Sequence, residues 1–397
     1  MDGDMEILLV APPGLEAVLA EEARACGFRE PRAIAGGVVT AGGWPEVWRA
    51  NLVLRGASRV LARVAQFRAF HLAQLDRRAR RVDWAALLRP DVPVRVEAAC
   101  RGSRIYHERA AAGRIARAIR ETLGAPATAG RAAADDAADG DGREGGTAGG
   151  PAPVAVKARI DDDLCTISID TSGEPLHRRG FKQAVAKAPM RETLAALFLR
   201  QCGHDGAEPV VDPMCGAGTF VLEAAEIAAG LHPGRARAFA FEKLATFDPA
   251  AWAAMRDAAG AAPAPEPGPR FFGFDRDAGA VAMARANADR AGVAAWTAFR
   301  QQPVGALEPP AELAEGRPGL VIVNPPYGAR LGEAGKLEPL YRTLGQVLRE
   351  RFRGWRVGLV TSDPRLARAT ALPFQPAGPP VPHGGVRVKL YRTGVLG

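Results

Sequence analysis

Three short segments place residue types at spacings that could do chemistry. The first is Asp212-Pro-Met-Cys-Gly-Ala-Gly-Thr-Phe220, led in by Val210 and Val211. An apolar strand ends in an acid, Gly216 and Gly218 bracket a tight turn, and a helix opens at once. Glycine accepts positive φ and lets a ligand approach the backbone, and the first turn of a helix offers unpaired N–H groups. No Gly-Lys-Ser/Thr follows, so a P-loop is excluded, and Val221 stands where a dinucleotide fingerprint needs its third glycine. An acid at the strand end suits a ligand carrying an ammonium group. The alternative is a glycine-rich turn that merely caps a helix.

The second segment, Phe271-Phe-Gly-Phe-Asp275, is apolar up to its terminal acid. Asp275 is placed to accept from both hydroxyls of a ribose lying across the strand ends, or else to cap the helix from Asp277. It lies much further along the chain than the roughly 20 residues of the ordinary fingerprint, and the stretch from about Gly230 to Pro269 absorbs the difference. The third segment is Leu320-Val-Ile-Val-Asn-Pro-Pro-Tyr-Gly328. Pro325 and Pro326 cannot continue a ladder and fix an extended turn. They leave the Asn324 side-chain oxygen and the Pro325 carbonyl aimed at the strand ends. An exocyclic amine of a nucleobase has two N–H bonds to satisfy, and two such acceptors would turn its lone pair toward a sulfonium methyl. Tyr327 supplies a ring on which an extruded base can stack, worth about 1–3 kcal/mol.

From about residue 190 strands alternate with helices, the pattern of a parallel sheet. Strands are expected at Pro209–Asp212, Arg270–Asp275, Ala295–Phe299, Gly319–Val323 and Arg356–Thr361, with a last one at Gly384–Arg392. Helices are expected at Met190–Cys202, Ala217–Ala229, Asp277–Ala291 and Leu337–Phe352. The first part reads as α+β: strands Glu6–Ala11, Arg59–Ala65, Val92–Ala98, Val154–Ile160 and Leu164–Asp170, and helices Gly14–Cys26, Trp44–Leu54 and Glu108–Leu123. Gly130–Gly150 contains no large apolar side chain to offset a backbone ordering cost of about 1–2 kcal/mol per residue. A disordered insert within a domain, spanning 126–152, is expected.

The 397 residues carry 52 Lys+Arg against 44 Asp+Glu, a net charge of +8, and five of the acids fall in residues 131–150. So basic a chain often meets a polyanion, usually nucleic acid. Arg178, Arg179 and Lys182, in the basic connector Leu176–Lys182, could contact phosphate, although charge runs are usually solvated faces. Five scattered cysteines without a C-x-x-C pair point to a reducing, cytoplasmic setting and away from a thiolate zinc site. No metal is expected, and no apolar run is long enough to span a membrane.

DPMCGAGTF, GFDRD and NPPYG together resemble the class I S-adenosylmethionine-dependent amino-methyltransferases. Leu176-His-Arg-Arg-Gly-Phe-Lys182, Lys187–Leu194, Leu340-Tyr-Arg-Thr-Leu-Gly345 and Phe352-Arg-Gly-Trp355 narrow the likeness to THUMP-containing RNA guanine-N2 methyltransferases of the bacterial 23S rRNA type. Ser103-Arg-Ile-Tyr-His-Glu-Arg109 is the most THUMP-like stretch of the first half. The resemblance implies an α/β Rossmann-like methyltransferase domain over 173–397. It is preceded by an α+β RNA-binding region: ferredoxin-like over 1–60 and THUMP-like over 61–172. It implies S-adenosylmethionine as cofactor, lined by Asp212, Met214, Cys215, Gly216, Gly218, Thr219 and Asp275, and a catalytic turn Asn324, Pro325, Pro326 and Tyr327. The implied partner is structured RNA, rRNA ahead of tRNA, with a monomer favoured; the Asn-Pro-Pro-Tyr turn serves any exocyclic amine, so DNA adenine N6 is an alternative target and a non-catalytic RNA-binding assembly factor an alternative role. Where the family has an acid near the adenine, this chain reads Phe299-Arg-Gln-Gln-Pro-Val304, and Gln302 is the residue that could accept from the adenine amine.

Overall fold

A computed structural model of the chain describes residues 4–130, 152–182, 190–259, 270–313, 318–327 and 334–397. They form two compact units: Met1–Ala11, Ala20–Leu176 and Arg237–Ala258 in the first, and Pro12–Leu19, His177–Ala236 and Ala259–Gly397 in the second.

The first unit is built on one eight-stranded mixed sheet. Across it run Arg32–Ile34, Gly37–Gly42, Met5–Val10, Arg59–Arg68, Leu164–Asp170, Val154–Asp161, Val94–Arg101 and Ala127–Ala129. The boundary expected at 60/61 falls inside Arg59–Arg68, which pairs with Met5–Val10 on one side and Leu164–Asp170 on the other. Residues 1–60 and 61–172 therefore share a sheet. Helix Glu108–Leu123 buries Ala111, Ala112, Ile115, Ala118 and Ile119 at helical spacing and stops at Gly124, whose φ of +79° is the left-handed cap glycine favours.

Two expectations change in this unit. Ala127–Ala129 is not disordered but pairs in parallel with Val94–Val96; residues 131–151 of that insert lie outside the described residues. Arg237–Ala258, expected as an excursion between strands of the second unit, packs in the first. Phe241 and Phe247 lie 6.0 and 5.8 Å from the Trp48 ring, and Trp252 closes on Phe241 at 5.1 Å. Gly37–Gly42 is a strand without a sequence signature, because it is buried almost throughout and so lacks polar–apolar alternation.

The second unit holds a seven-stranded sheet in the order Thr297–Gln301, Phe271–Asp275, Val210–Asp212, Leu320–Val323, Arg356–Thr361, Val386–Arg392, Val381–His383. The first five strands are parallel, and Val386–Arg392 returns antiparallel beside Arg356–Thr361. Period-two alternation sorts the strand residues onto two faces. Val211, Phe272, Phe274, Val321, Val323, Val357 and Leu359 join one core with Tyr341, Leu344 and Leu348 of helix Ala334–Arg351 and with Phe352 just after it. The intervening Gly358 faces the other way, where a Cβ would stand 2.8 Å from Cys202 Sγ. Helices cover both faces, as a parallel sheet requires.

Candidate active site

The strand order reverses at Val210–Asp212: the next strand in sequence lies on one side of it and Leu320–Val323 on the other. Ligands of open parallel sheets bind at such a switch point, outside the carboxyl ends. Phe272, Val211 and Val321 are in register across the three strands. Three residues further on in each come Asp275, Met214 and Asn324, so the three segments end level, on neighbouring strands about 5 Å apart.

Asp212 is 2% exposed. Its Oδ1 accepts the Met214 N–H at 3.0 Å, and among the described residues no basic side chain pairs with it. Burial pushes this carboxyl up to about 8; the Met214 N–H opposes the shift and the charge of Asp275 adds to it. An ammonium group beside it would favour the ionised form. The neighbouring Cys215 is driven well above the usual thiol range by burial and by both acids, so it stays a thiol and is no nucleophile. Its N–H donates to Phe274 O at 2.8 Å, and Gly218 N–H donates back to Cys215 O at 2.8 Å, closing the turn.

Gly218 has φ +88°, and a Cβ there would lie 3.1 Å from the Ala284 Cβ and 3.2 Å from the Phe299 ring. Gly216 has φ +53° and nothing within 4 Å of a would-be Cβ. One glycine thus permits close packing, whereas the other faces open space. Asn287, buried on helix Ala278–Ala291, donates from Nδ2 to Ala217 O at 3.1 Å and fixes the loop from behind.

Asp275 Oδ2 accepts the Gly216 N–H at 3.0 Å and Oδ1 the Asp277 N–H at 3.0 Å. One carboxylate therefore ties the glycine loop to the second strand, and each oxygen keeps lone-pair capacity for a hydroxyl donor. The Asp277 side chain, not that of Asp275, caps the next helix through Gly279 N–H at 2.8 Å. Gln302 N–H donates to Asp275 O at 2.8 Å, and its side-chain nitrogen donates to Ala306 O. That bond leaves Oε1 as the acceptor end of the side chain.

At the third strand end, Asn324 Oδ1 is buried and has no hydrogen-bond partner among the described residues. A buried acceptor left unmade costs about 1–3 kcal/mol, so the site asks for a donor there. The second proline is held by a residue outside the three motifs. Tyr341, fully buried on helix Ala334–Arg351, donates its O–H to Pro326 O at 3.2 Å and lies 3.5 Å from Thr361 Oγ1. The signal was present in Leu340-Tyr-Arg-Thr-Leu-Gly345, but without a fold nothing tied it to Pro326. Tyr327 is half-buried against the same core, and burial pushes its hydroxyl up to about 12.

The basic connector has a different use from phosphate contact. Arg179 is 2% exposed and pairs with buried Glu223 at 3.1 Å. Lys182 Nζ meets Thr219 Oγ1 at 2.9 Å, Glu192 Oε1 at 3.0 Å and Met190 O at 3.3 Å, which occupies all three of its donors. Both residues brace the helix Thr219–Ala228 that follows the glycine loop, and the Thr219 hydroxyl is engaged in that brace. Neither Arg179 nor Lys182 is available to RNA phosphate in this arrangement. Arg178 is exposed.

Among the described residues no group of three or more His, Cys, Asp or Glu could hold a metal ion, and no helix is long and apolar enough to cross a membrane. A parallel sheet reversed at this point, with an acid and a glycine turn after its first strand, defines a Rossmann-like methyltransferase domain. More narrowly, residues 179–373 match the UPF0020 family model, an RMKL-like methyltransferase domain, and residues 6–61 match the RlmL ferredoxin-like domain.

The chain is similar to the putative RNA methyltransferase slr0064 of Synechocystis, 29% identical over 96% of this chain and 94% of that protein. It is 34% identical to the ribosomal RNA large subunit methyltransferase K/L of Stutzerimonas stutzeri over 91% of this chain, but spans only 49% of that relative. Among solved structures, SMU.472, a putative methyltransferase complexed with SAH, matches with a TM-score of 0.82 at 26% identity, over 99% of this chain and 98% of that one.

Proposed function

We propose that this protein transfers a methyl group from S-adenosylmethionine to an exocyclic amine of an RNA base, guanine N2 of 23S rRNA being the target. The observation that carries this is the buried, unpartnered carboxamide oxygen of Asn324, level with Asp275 at the switch point. The names of similar proteins support this reading, being those of RNA and ribosomal RNA methyltransferases, and one similar structure holds SAH.

The residues fit the cofactor. Asp212 offers a buried carboxylate to an ammonium group, Asp275 offers acceptors to ribose hydroxyls, and the open side of Gly216 admits a ligand against the backbone. Gln302 stands in for the acid expected near the adenine. The bound cofactor supplies an activated sulfonium methyl, so the protein has mainly to align an in-line transfer. Asn324 Oδ1 and the Pro325 carbonyl accept the two N–H groups of the target amine. They orient its lone pair and stabilise the positive charge that grows on nitrogen; the surplus proton then leaves to solvent. Tyr327 stacks on the extruded base, offsetting an unstacking cost of a few kcal/mol. Residues 1–60 and 61–172, the latter THUMP-like, deliver a structured RNA by shape and phosphate contacts.

The test is Asn324→Ala. Incorporation of labelled methyl into rRNA should fall about 10²–10³-fold while RNA and cofactor affinities stay within a factor of a few. Retention of full activity would sink the assignment. Mapping methylated guanines in rRNA and tRNA from cells lacking the protein identifies the nucleotide. A missing methyl on tRNA alone would move the substrate from rRNA to tRNA.

A further inference from the structure

The first unit contains a cleft of about 670 Å³ lined wholly by its own residues. Its lining includes Trp44, the strand residues Arg63, Gln66 and Phe67, and Arg78 and Arg81 at the end of helix Leu72–Ala79. That helix end reads Arg77-Arg78-Ala79-Arg80-Arg81. Arg80 is tied down, to Asp76 at 2.8 Å and to Glu121. Arg78 and Arg81 are exposed and have no acidic partner among the described residues.

Across the cleft, Arg63 pairs with Glu6 but keeps a buried Nε with no hydrogen-bond partner. Burial pushes its guanidinium down from the usual range, and the like charge of Arg159 adds to the effect. The acids on the lining offer little relief: Asp4 pairs with Arg29, and Asp83 Oδ1 accepts the Ala86 N–H at 3.2 Å. The cleft therefore presents unmatched guanidinium charge beside the half-buried Phe67 ring and the exposed amide of Gln66.

We propose that this cleft binds the phosphodiester backbone of the RNA substrate, with Arg78 and Arg81 on successive phosphates, an assignment that rests on the RNA-methylating function above. Guanidinium forks match phosphate oxygens in pairs. The volume falls within the roughly 300–1,000 Å³ of a ligand site, room for a nucleotide-sized unit rather than for a lone anion. A ribose–phosphate strand would carry its charge past the two exposed arginines and its sugar or base onto Phe67 and Gln66.

The experiment measures binding of a labelled oligouridylate to the full chain across about 50–200 mM salt. In Arg78→Ala/Arg81→Ala the slope of log K against log salt should flatten by about 1.5, from about 0.7 per single-strand phosphate contact. Arg78→Lys/Arg81→Lys should keep most of the slope, since the point charges remain. An unchanged slope in the alanine variant overturns the proposal, as does equal flattening in both variants. Competition by polyglutamate as effective as by oligouridylate also overturns it, assigning an acidic polypeptide instead. S-adenosylmethionine affinity should be the same in all three proteins. If the unmodified chain neither binds nor methylates RNA, the proposed function has failed; if it does both and the slope stands, only the cleft assignment has.

Discussion

The pH dependence of cofactor binding follows from one buried acid. Asp212 is neutral up to about pH 8 because burial disfavours its charge and the strand end supplies only one N–H. An ammonium ligand needs the ionised form. At pH 6, two units below, about 1% of the molecules carry that charge, and drawing the proton off costs about 2.7 kcal/mol. Affinity should therefore rise nearly tenfold from pH 6 to 7 and at most about fivefold more from 7 to 8, as Asp212 nears its midpoint. The α-amino group of the ligand ionises near 7.7–8.0, so above that range the gain stops and affinity turns down. The same shift acts on folding with the opposite sign. Between its ordinary value of 3.8 and about 8 the folded chain holds a proton that the unfolded chain has lost, so ligand-free stability declines as pH rises through that window. Asp212→Asn should thus melt higher than the unmodified protein at pH 8 without ligand, yet bind S-adenosylhomocysteine more weakly and with no slope between pH 6 and 7.5. Titration calorimetry at half-unit steps, with melting curves alongside, reads both effects. A dissociation constant that is flat from pH 6 to 8 in the unmodified chain refutes the reasoning.

Gly218→Ala combines a φ of +88° with contacts at 3.1 and 3.2 Å and should cost about 1–3 kcal/mol, read as a lower urea midpoint with an unchanged m-value. Tyr341→Phe removes the donor to Pro326 O and about 0.5–1.5 kcal/mol of stability; turnover should fall about tenfold with cofactor affinity intact, and an unaltered turnover means the turn does not depend on that bond. Arg179→Ala removes the buried guanidinium that pairs with Glu223, a loss of about 3–5 kcal/mol, whereas Arg179→Met/Glu223→Leu should recover most of it. RNA affinity of the double variant should match that of the unmodified chain, and a drop specific to RNA would return Arg179 to the interface.

Much of this molecule was legible in one dimension. The parallel strands announced themselves as apolar runs ending in Asp212, Asp275 and Asn324, and the glycine turn is dictated by neighbours within a few residues. Such features are local: backbone sterics and helix starts are set by adjacent side chains. What the chain order could not convey is which distant groups meet. Strand order puts Asn324 beside Met214 and buries Asp212 enough to hold its proton. A buried partner, not a run of charge, decides that Arg179 and Lys182 brace a helix. Tyr341 reaches Pro326 only because helix Ala334–Arg351 lies on that face of the sheet, and Ala127–Ala129 is ordered only because Val94–Val96 offers it an edge. Burial and partnership arise from long-range packing, and they turned a recognisable set of residues into a site with particular charges and vacancies.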